Sequence, residues 1–154
     1  MCIRDSIGVP GHGIVIAVPI KSVGGGKTVA FLNGETDNAA YTPSLNYAHE
    51  LIVAVCSQGC TDMVMNAARA AGARGGTVLH GKGTGAKGAP KFYNITIAQE
   101  KEMIMIVAAA SQKAAIMQSI LKKAGPDSKA GTIVFSLPTT HVAGFALLDN
   151  QDES

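Results

Sequence analysis

Apolar residues follow two rhythms along this chain: short unbroken runs bounded by glycine, proline or polar residues, and stripes at helical spacing. Residues 50–56, Glu-Leu-Ile-Val-Ala-Val-Cys, are a run of the first kind and predict a buried strand. From about residue 62 to 71 the rhythm changes. Val64, Ala67, Ala68 and Ala71 recur at three- and four-residue steps, with Met63 beside them. That stripe predicts a helix whose small side chains let it lie close to a sheet. Thr61 or Cys60 is its expected cap, and Asp62 in the first turn suits the helix dipole. Gly72 closes the helix, Gly75 and Gly76 turn the chain, and Thr77, Val78 and Leu79 begin a second strand.

Residues 92–97 and 102–109 read as two further strands around a polar turn at Gln99, Glu100 and Lys101. Ser111 is the expected cap of a second helix over about 112–124, with Ile116, Met117, Ile120 and Leu121 as its buried face. Lys122 and Lys123 lie favourably at its carbonyl end, and Gly125-Pro126 stops it. A strand at 132–137 closes the domain, and residues 149–154 form an acidic tail expected to be disordered.

The order is strand, helix, strand, strand, helix, strand. Each half has a helix ending in Ala-Gly followed by a Gly-Thr-apolar strand, at 71–78 and again at 124–133. Two such halves predict an α+β, ferredoxin-like βαββαβ split unit with both helices on one face of an antiparallel sheet. Met103, Ile104, Met105, Ile106 and Val107 are apolar at consecutive positions, so the other face needs cover as well. Neighbouring subunits or a tandem partner are the expected cover.

Upstream of that unit, residues 13–19, Gly-Ile-Val-Ile-Ala-Val-Pro, predict a buried strand ended by proline. They echo residues 132–138 at an offset of 119 residues: Val15 falls on Val134, Pro19 on Pro138, Val23 on Val142 and Gly25 on Gly144. Residues 11–25 therefore read as the last strand of a truncated first domain of the same kind. Residues 26–46, rich in Gly, Asn, Thr, Ser and Pro, read as a linker, and 47–148 as the main domain. Residues 1–10 carry no usable pattern; the first six resemble translated adapter sequence and are left out of fold reasoning.

Composition sharpens this picture. The chain has 154 residues, 47% hydrophobic and 16% charged, which excludes disorder as a dominant state and suits one well-buried domain. No Trp and few aromatics leave the core to Ala, Val, Ile, Leu and Met. A net charge of +2 gives no electrostatic footprint for nucleic acid. Three cysteines imply no disulfide framework, and no apolar run approaches membrane-spanning length. A cytoplasmic protein without membrane insertion is the expectation.

Candidate chemistry concentrates after the second strand. Gly81, Lys82, Gly83, Thr84, Gly85 and Lys87, in a stretch running to Gly88, offer backbone N–H groups and two ammonium charges suited to an anion or nucleotide phosphate. Against this stands a flexible glycine loop with solvated lysines. Ser22-Val23-Gly24-Gly25-Gly26-Lys27-Thr28 resembles a P-loop, but Lys21 stands where that pattern needs glycine and no helix follows, so a linker is the better reading. Cys56, Cys60 and His80 do not make a zinc set, for want of a second close pair, and the thiols read as buried. No catalytic constellation stands out around His49 or His141.

Over residues 50–144 the chain resembles the nitrogen regulatory P-II family. The most specific matches are 72–85 (Gly-Ala-Arg-Gly-Gly-Thr-Val-Leu-His-Gly-Lys-Gly-Thr-Gly), 92–97 (Phe-Tyr-Asn-Ile-Thr-Ile) and 131–138 (Gly-Thr-Ile-Val-Phe-Ser-Leu-Pro). It looks most like a divergent, tandem-domain branch. The resemblance implies trimers that bind ATP or ADP, often with 2-oxoglutarate, between subunits, and a signalling loop that begins at Gly81 and Gly83. It also implies that Ser128, Lys129, Ala130 and Gly131 form a phosphate-facing turn. Four departures count, one being that the arginines the family usually has after the last strand are absent, since residues 140–145 contain none. The loop, about 81–91, is short and lacks a tyrosine at its tip, which argues against uridylylation. Thr132 stands where the family usually has lysine, with Lys129 as the nearby substitute. The glutamine usual for 2-oxoglutarate is missing.

The expected function is thus a regulator and not an enzyme: a homo-oligomer whose clefts bind a small anionic metabolite, ATP, ADP or another nucleotide, without a metal, and relay that state to a partner protein. The expected ligand set is Gly81, Lys82, Gly83, Thr84, Gly85, Lys87, Lys129, Gly131 and Thr132. The competing expectations are a phosphoryl-transfer enzyme using Lys27 or Lys82, and a structural oligomer without ligand.

Overall fold

The structure, a computed structural model, describes residues 13–20, 48–83, 91–92, 95–96 and 99–144. The chain divides into two units, one of residues 48–137 and one of the flanking segments 1–47 and 138–154.

In the larger unit, β2 (His49–Ser57), β3 (Thr77–Gly83), β6 (Gln99–Ala109) and β7 (Ile133–Pro138) form a sheet in the order β3-β6-β2-β7. With helices α1 (Thr61–Arg69) and α2 (Ala110–Ala124) between the strands, this is the ferredoxin-like βαββαβ unit expected from the sequence. Two-residue strands β4 (Lys91–Phe92) and β5 (Ile95–Thr96) pair with each other. Of the expected single strand at 92–97, the described residues Phe92 and Ile95–Thr96 thus fall in two separate strands. The polar residues 99–101 are not a turn either: they begin β6, which runs eleven residues and is long enough to pair with both β2 and β3.

Parity along the central strands separates two faces. Ile52, Ala54 and Cys56 on β2 and Ile104, Ile106 and Ala108 on β6 join Val64, Met65, Ala67 and Ala68 of α1 and Ile116, Ile120 and Ala124 of α2 in one buried core. Small residues let the helices approach, and the Ser119 hydroxyl of α2 donates to the Ala67 carbonyl of α1 at 2.6 Å. Gly76 sits against this core, where a Cβ would lie 3.0 Å from Met65 Sδ and 3.2 Å from Ile104 and Ile106 carbons. Two stripe assignments change. Met65 is buried while Met63 is exposed, and Ala124, not Leu121, completes the buried face of α2.

The opposite face carries Leu79, Met103, Ile133 and Phe135, all exposed, beside Leu51, Val53 and Val107, which are buried. An apolar, helix-free face of this kind is what the consecutive apolar residues of β6 predicted.

In the smaller unit, β1 (Val15–Ala17) pairs antiparallel with β8 (His141–Ala143). The run 13–19 was expected to be a buried strand. Only three of its residues are in a strand, and Ile14 and Val15 are exposed, because a two-stranded ribbon has no second layer to bury them. The expected linker at 26–46, the P-loop-like stretch with Lys27, the first ten residues and the acidic tail lie outside the described residues.

Candidate functional site

Two groups of candidate residues meet the sheet at one end. The first is the end of β3. Gly81, Lys82 and Gly83 are strand residues paired with Lys101, Glu100 and Gln99. They were expected to open a loop of free N–H groups. Because β6 starts at Gln99, it extends the ladder over all three, and none of them is a loop residue. Lys82 Nζ lies 3.9 Å from Glu100 Oε1 with both side chains well exposed, a weak, screened pair. Thr84, Gly85 and Lys87 lie outside the described residues.

The second group is the turn from α2 into β7. Gly125 leaves the helix with φ −67° and ψ −170°, where a Cβ would run into the Leu121 carbonyl oxygen. Ser128 then closes the turn: its N–H and hydroxyl both donate to the Gly125 carbonyl, at 3.0 and 2.7 Å, and its oxygen accepts the Ala130 N–H at 3.2 Å. Gly131, at φ +54°, donates to the Ser128 carbonyl at 3.0 Å, and Thr132 returns its N–H to the Ala124 carbonyl at 3.2 Å. The amides of Ser128, Ala130, Gly131 and Thr132 are therefore used inside the turn. Lys129 is exposed at its outer side. An open hollow of about 250 Å³ beside it is lined by Leu121, Lys122, Gly125, Pro126, Asp127 and Ser128. Thr132 is fully buried, and among the described residues its Oγ1 is the buried side-chain polar atom without a hydrogen-bond partner.

The two groups lie at the same end of the sheet but on opposite edges. Lys101 pairs with both Gly81 and Ser57, and the Ser57 N–H donates to the Ala130 carbonyl at 2.9 Å. Three strand spacings separate Gly81 from Ala130, roughly 14 Å. One protomer does not bring Lys82 and Lys129 together on a single phosphate.

Between them, on the helix face, lies a cluster that the sequence reading missed. Glu102 shares parity with Ile104 and Ile106, so its carboxylate faces the helices and is almost wholly buried. It accepts the Thr61 hydroxyl at 2.6 Å, the Thr61 N–H at 3.2 Å and the Gly59 N–H at 3.1 Å. His80, its cross-strand partner, places Nε2 at 3.7 Å. Hydrogen bonds from Thr61 and Gly59, with the Coulombic pull of His80, hold the carboxyl below its ordinary value despite the opposing effect of burial. The expected cap of α1 by Thr61 or Cys60 is corrected here: Cys60 is the N-cap residue but makes no side-chain cap bond, and Glu102 supplies it. Parity was the one available signal, since a carboxylate on the core face requires donors.

Cys56 and Cys60 are free and buried, and burial, with Glu102 and Cys60 adding to it, pushes the Cys56 thiol up to about 11. A thiol so far from ionisation is a poor nucleophile. No group of three or more His, Cys, Asp and Glu among the described residues gathers as a metal would require. No described helix is long and apolar enough to cross a membrane.

No curated protein sequence matches the chain. Among solved structures, the crystal structure of Arabidopsis thaliana PII bound to citrate is similar at 21% identity, covering 59% of this chain and 74% of that one, with a TM-score of 0.43. The family model described as nitrogen regulatory protein P-II matches residues 49–145, more than half of the chain and the whole βαββαβ unit. The chain belongs to the nitrogen regulatory P-II family.

Proposed function

We propose that this chain is a regulatory protein of the P-II kind, acting in the cytoplasm as a homotrimer that binds a small anionic metabolite or adenine nucleotide in clefts between subunits. Its ligand would be held by Gly81, Lys82, Gly83, Thr84, Gly85 and Lys87 from one subunit and by Lys129, Gly131 and Thr132 from the next. The observation that carries this reading is the position of the two groups on opposite edges of one sheet, at the same end. A ring of subunits placing the β3 edge of one beside the β7 edge of another completes a site that one copy leaves divided. The exposed apolar residues Leu79, Met103, Ile133 and Phe135 supply the surface for such a ring. Ligand binding would order the loop after Gly83 and shift the surface offered to a regulated partner protein. Residues 11–25 are, on this reading, the final strand of a first domain of the same family, joined by a linker at 26–46.

Light scattering and calorimetry test this together. A trimer that takes up ATP, ADP or a 2-oxoacid, and loses that binding in the Lys82→Ala, Lys129→Ala double variant, is the expected result. A monomer would refute the divided site, and binding that survives the double variant would refute the residue assignment. A trimer giving no heat with any of these ligands would favour a purely structural oligomer.

A further inference from the structure

The internal repeat acquires a meaning from the strand pairing. At the offset that sets Val15 on Val134 and Pro19 on Pro138, β1 is a second copy of β7. The structure lays this copy on β8, with Val15 opposite Ala143, Ile16 opposite Val142 and Ala17 opposite His141. The Ala17 carbonyl also accepts the Thr140 N–H at 2.9 Å and hydroxyl at 3.3 Å. β8 is therefore an edge that takes a strand of the β7 pattern, ended in both copies by a proline two residues past the last pair.

β1 is a weak occupant. It offers three residue pairs, its Ile14 and Val15 side chains are about half exposed, and a two-stranded ribbon has little stability of its own in water. β7, the other copy of the pattern, is an edge strand of the four-stranded sheet, with Ile133 64% and Phe135 43% exposed. Its outer row of N–H and C=O groups is a template for strand addition.

We propose that β7 of a second copy of this chain pairs antiparallel with β8 in the register that β1 occupies, with Val134 opposite Ala143, Phe135 opposite Val142 and Ser136 opposite His141. β1 is then an internal competitor that holds the β8 edge until a neighbouring subunit displaces it. The occupant is a second copy because the accepted pattern occurs twice in this chain, and one of the two lies on a sheet edge. The proposal rests on the homo-oligomer reading above but adds a contact that fails independently of it.

Cross-linking tests it. In a Cys2→Ser background, one full-length chain carries Phe135→Cys and another Val142→Cys; Cys56 and Cys60 are buried and do not interfere. Mixed and mildly oxidised, the two should give a disulfide-linked heterodimer well above the level of either chain alone. Adding Ile16→Pro to the Val142→Cys chain should raise its yield severalfold, because proline breaks the β1 pairing. A doubly substituted Ile16→Cys, Val142→Cys chain, which should close internally, verifies that the β8 edge is formed. With that edge formed, absence of the mixed dimer in both backgrounds overturns the contact, even if light scattering still finds a trimer. A mixed dimer indifferent to Ile16→Pro overturns the competition.

Discussion

Glu102 of β6 caps helix α1 through Thr61, whose hydroxyl lies 2.6 Å from Oε2, although 41 residues separate them in the chain. The carboxylate does for this helix what a local serine or aspartate does for others, and it ties the helix start to the centre of the sheet. Glu102→Ala is expected to cost about 1–3 kcal/mol, since it leaves the Thr61 and Gly59 amides without their acceptor. Urea denaturation reads this directly; an unchanged midpoint would show that water replaces the carboxylate without loss.

Acid should weaken the fold through two carboxylates. Hydrogen bonds hold Glu102 below its ordinary value. For Glu50, burial alone would raise the carboxyl, but hydrogen bonds from Lys113 and Ser136 and the Lys113 charge outweigh it and leave the group lowered. Both shifts are downward, so the unfolded chain binds more protons than the folded one in acid. This stabilisation is present above the ordinary glutamate value of 4.5 and is lost as pH falls through the lower folded-state values. Glu102→Gln should flatten that acid limb; a urea midpoint as pH-dependent as before would contradict it.

Lys113 Nζ reaches Glu50 Oε1 at 2.8 Å, joining α2 to the first strand of the sheet in a partly buried pair. Lys113→Ala should cost about 1–2 kcal/mol by leaving Glu50 half-satisfied, and the Glu50→Gln, Lys113→Ala double variant should cost less than the sum of the two single changes. Additive losses in that cycle would mean that the pair contributes nothing as a pair.

Thr132 buries its hydroxyl without a partner. Thr132→Val should therefore leave stability unchanged or raise it by about 1 kcal/mol, against the usual trend for core changes. A marked drop in melting temperature would indicate that the hydroxyl is hydrogen-bonded in solution.

Gly125 lies where a side chain has no room. Gly125→Ala drives a Cβ into the Leu121 carbonyl and is expected to cost on the order of 3 kcal/mol, deforming the turn that carries Lys129. Wild-type stability in that variant would show that the helix end adjusts freely.

The periodic segments were legible in the sequence, and the reason is local. Val64, Ala67 and Ala68, like Ile116 and Ile120, bury one face of a helix whatever lies across from them, because 3.6 residues per turn fixes which positions share that face. The Met63–Met65 exchange shows the limit, since both flank the stripe and only packing against Gly76 and Ile104 selects Met65.

The arrangement of the candidate residues was not legible in the sequence. Glycines at 81 and 83 look like a loop to any local rule, yet a long β6 draws them into the ladder. No local rule could place the cap of α1 on Glu102, or put Lys82 and Lys129 on opposite edges of one sheet.

By itself, then, the sequence determined the βαββαβ order, the main buried stripe of each helix and the family to which they answer, because backbone periodicity and side-chain hydrophobicity act over a few residues. The tertiary structure alone decided strand register, the remote carboxylate that starts α1, and the partner of the repeated strand. Those depend on which distant segments compete for the same backbone groups, and that competition is settled only once the chain has closed on itself.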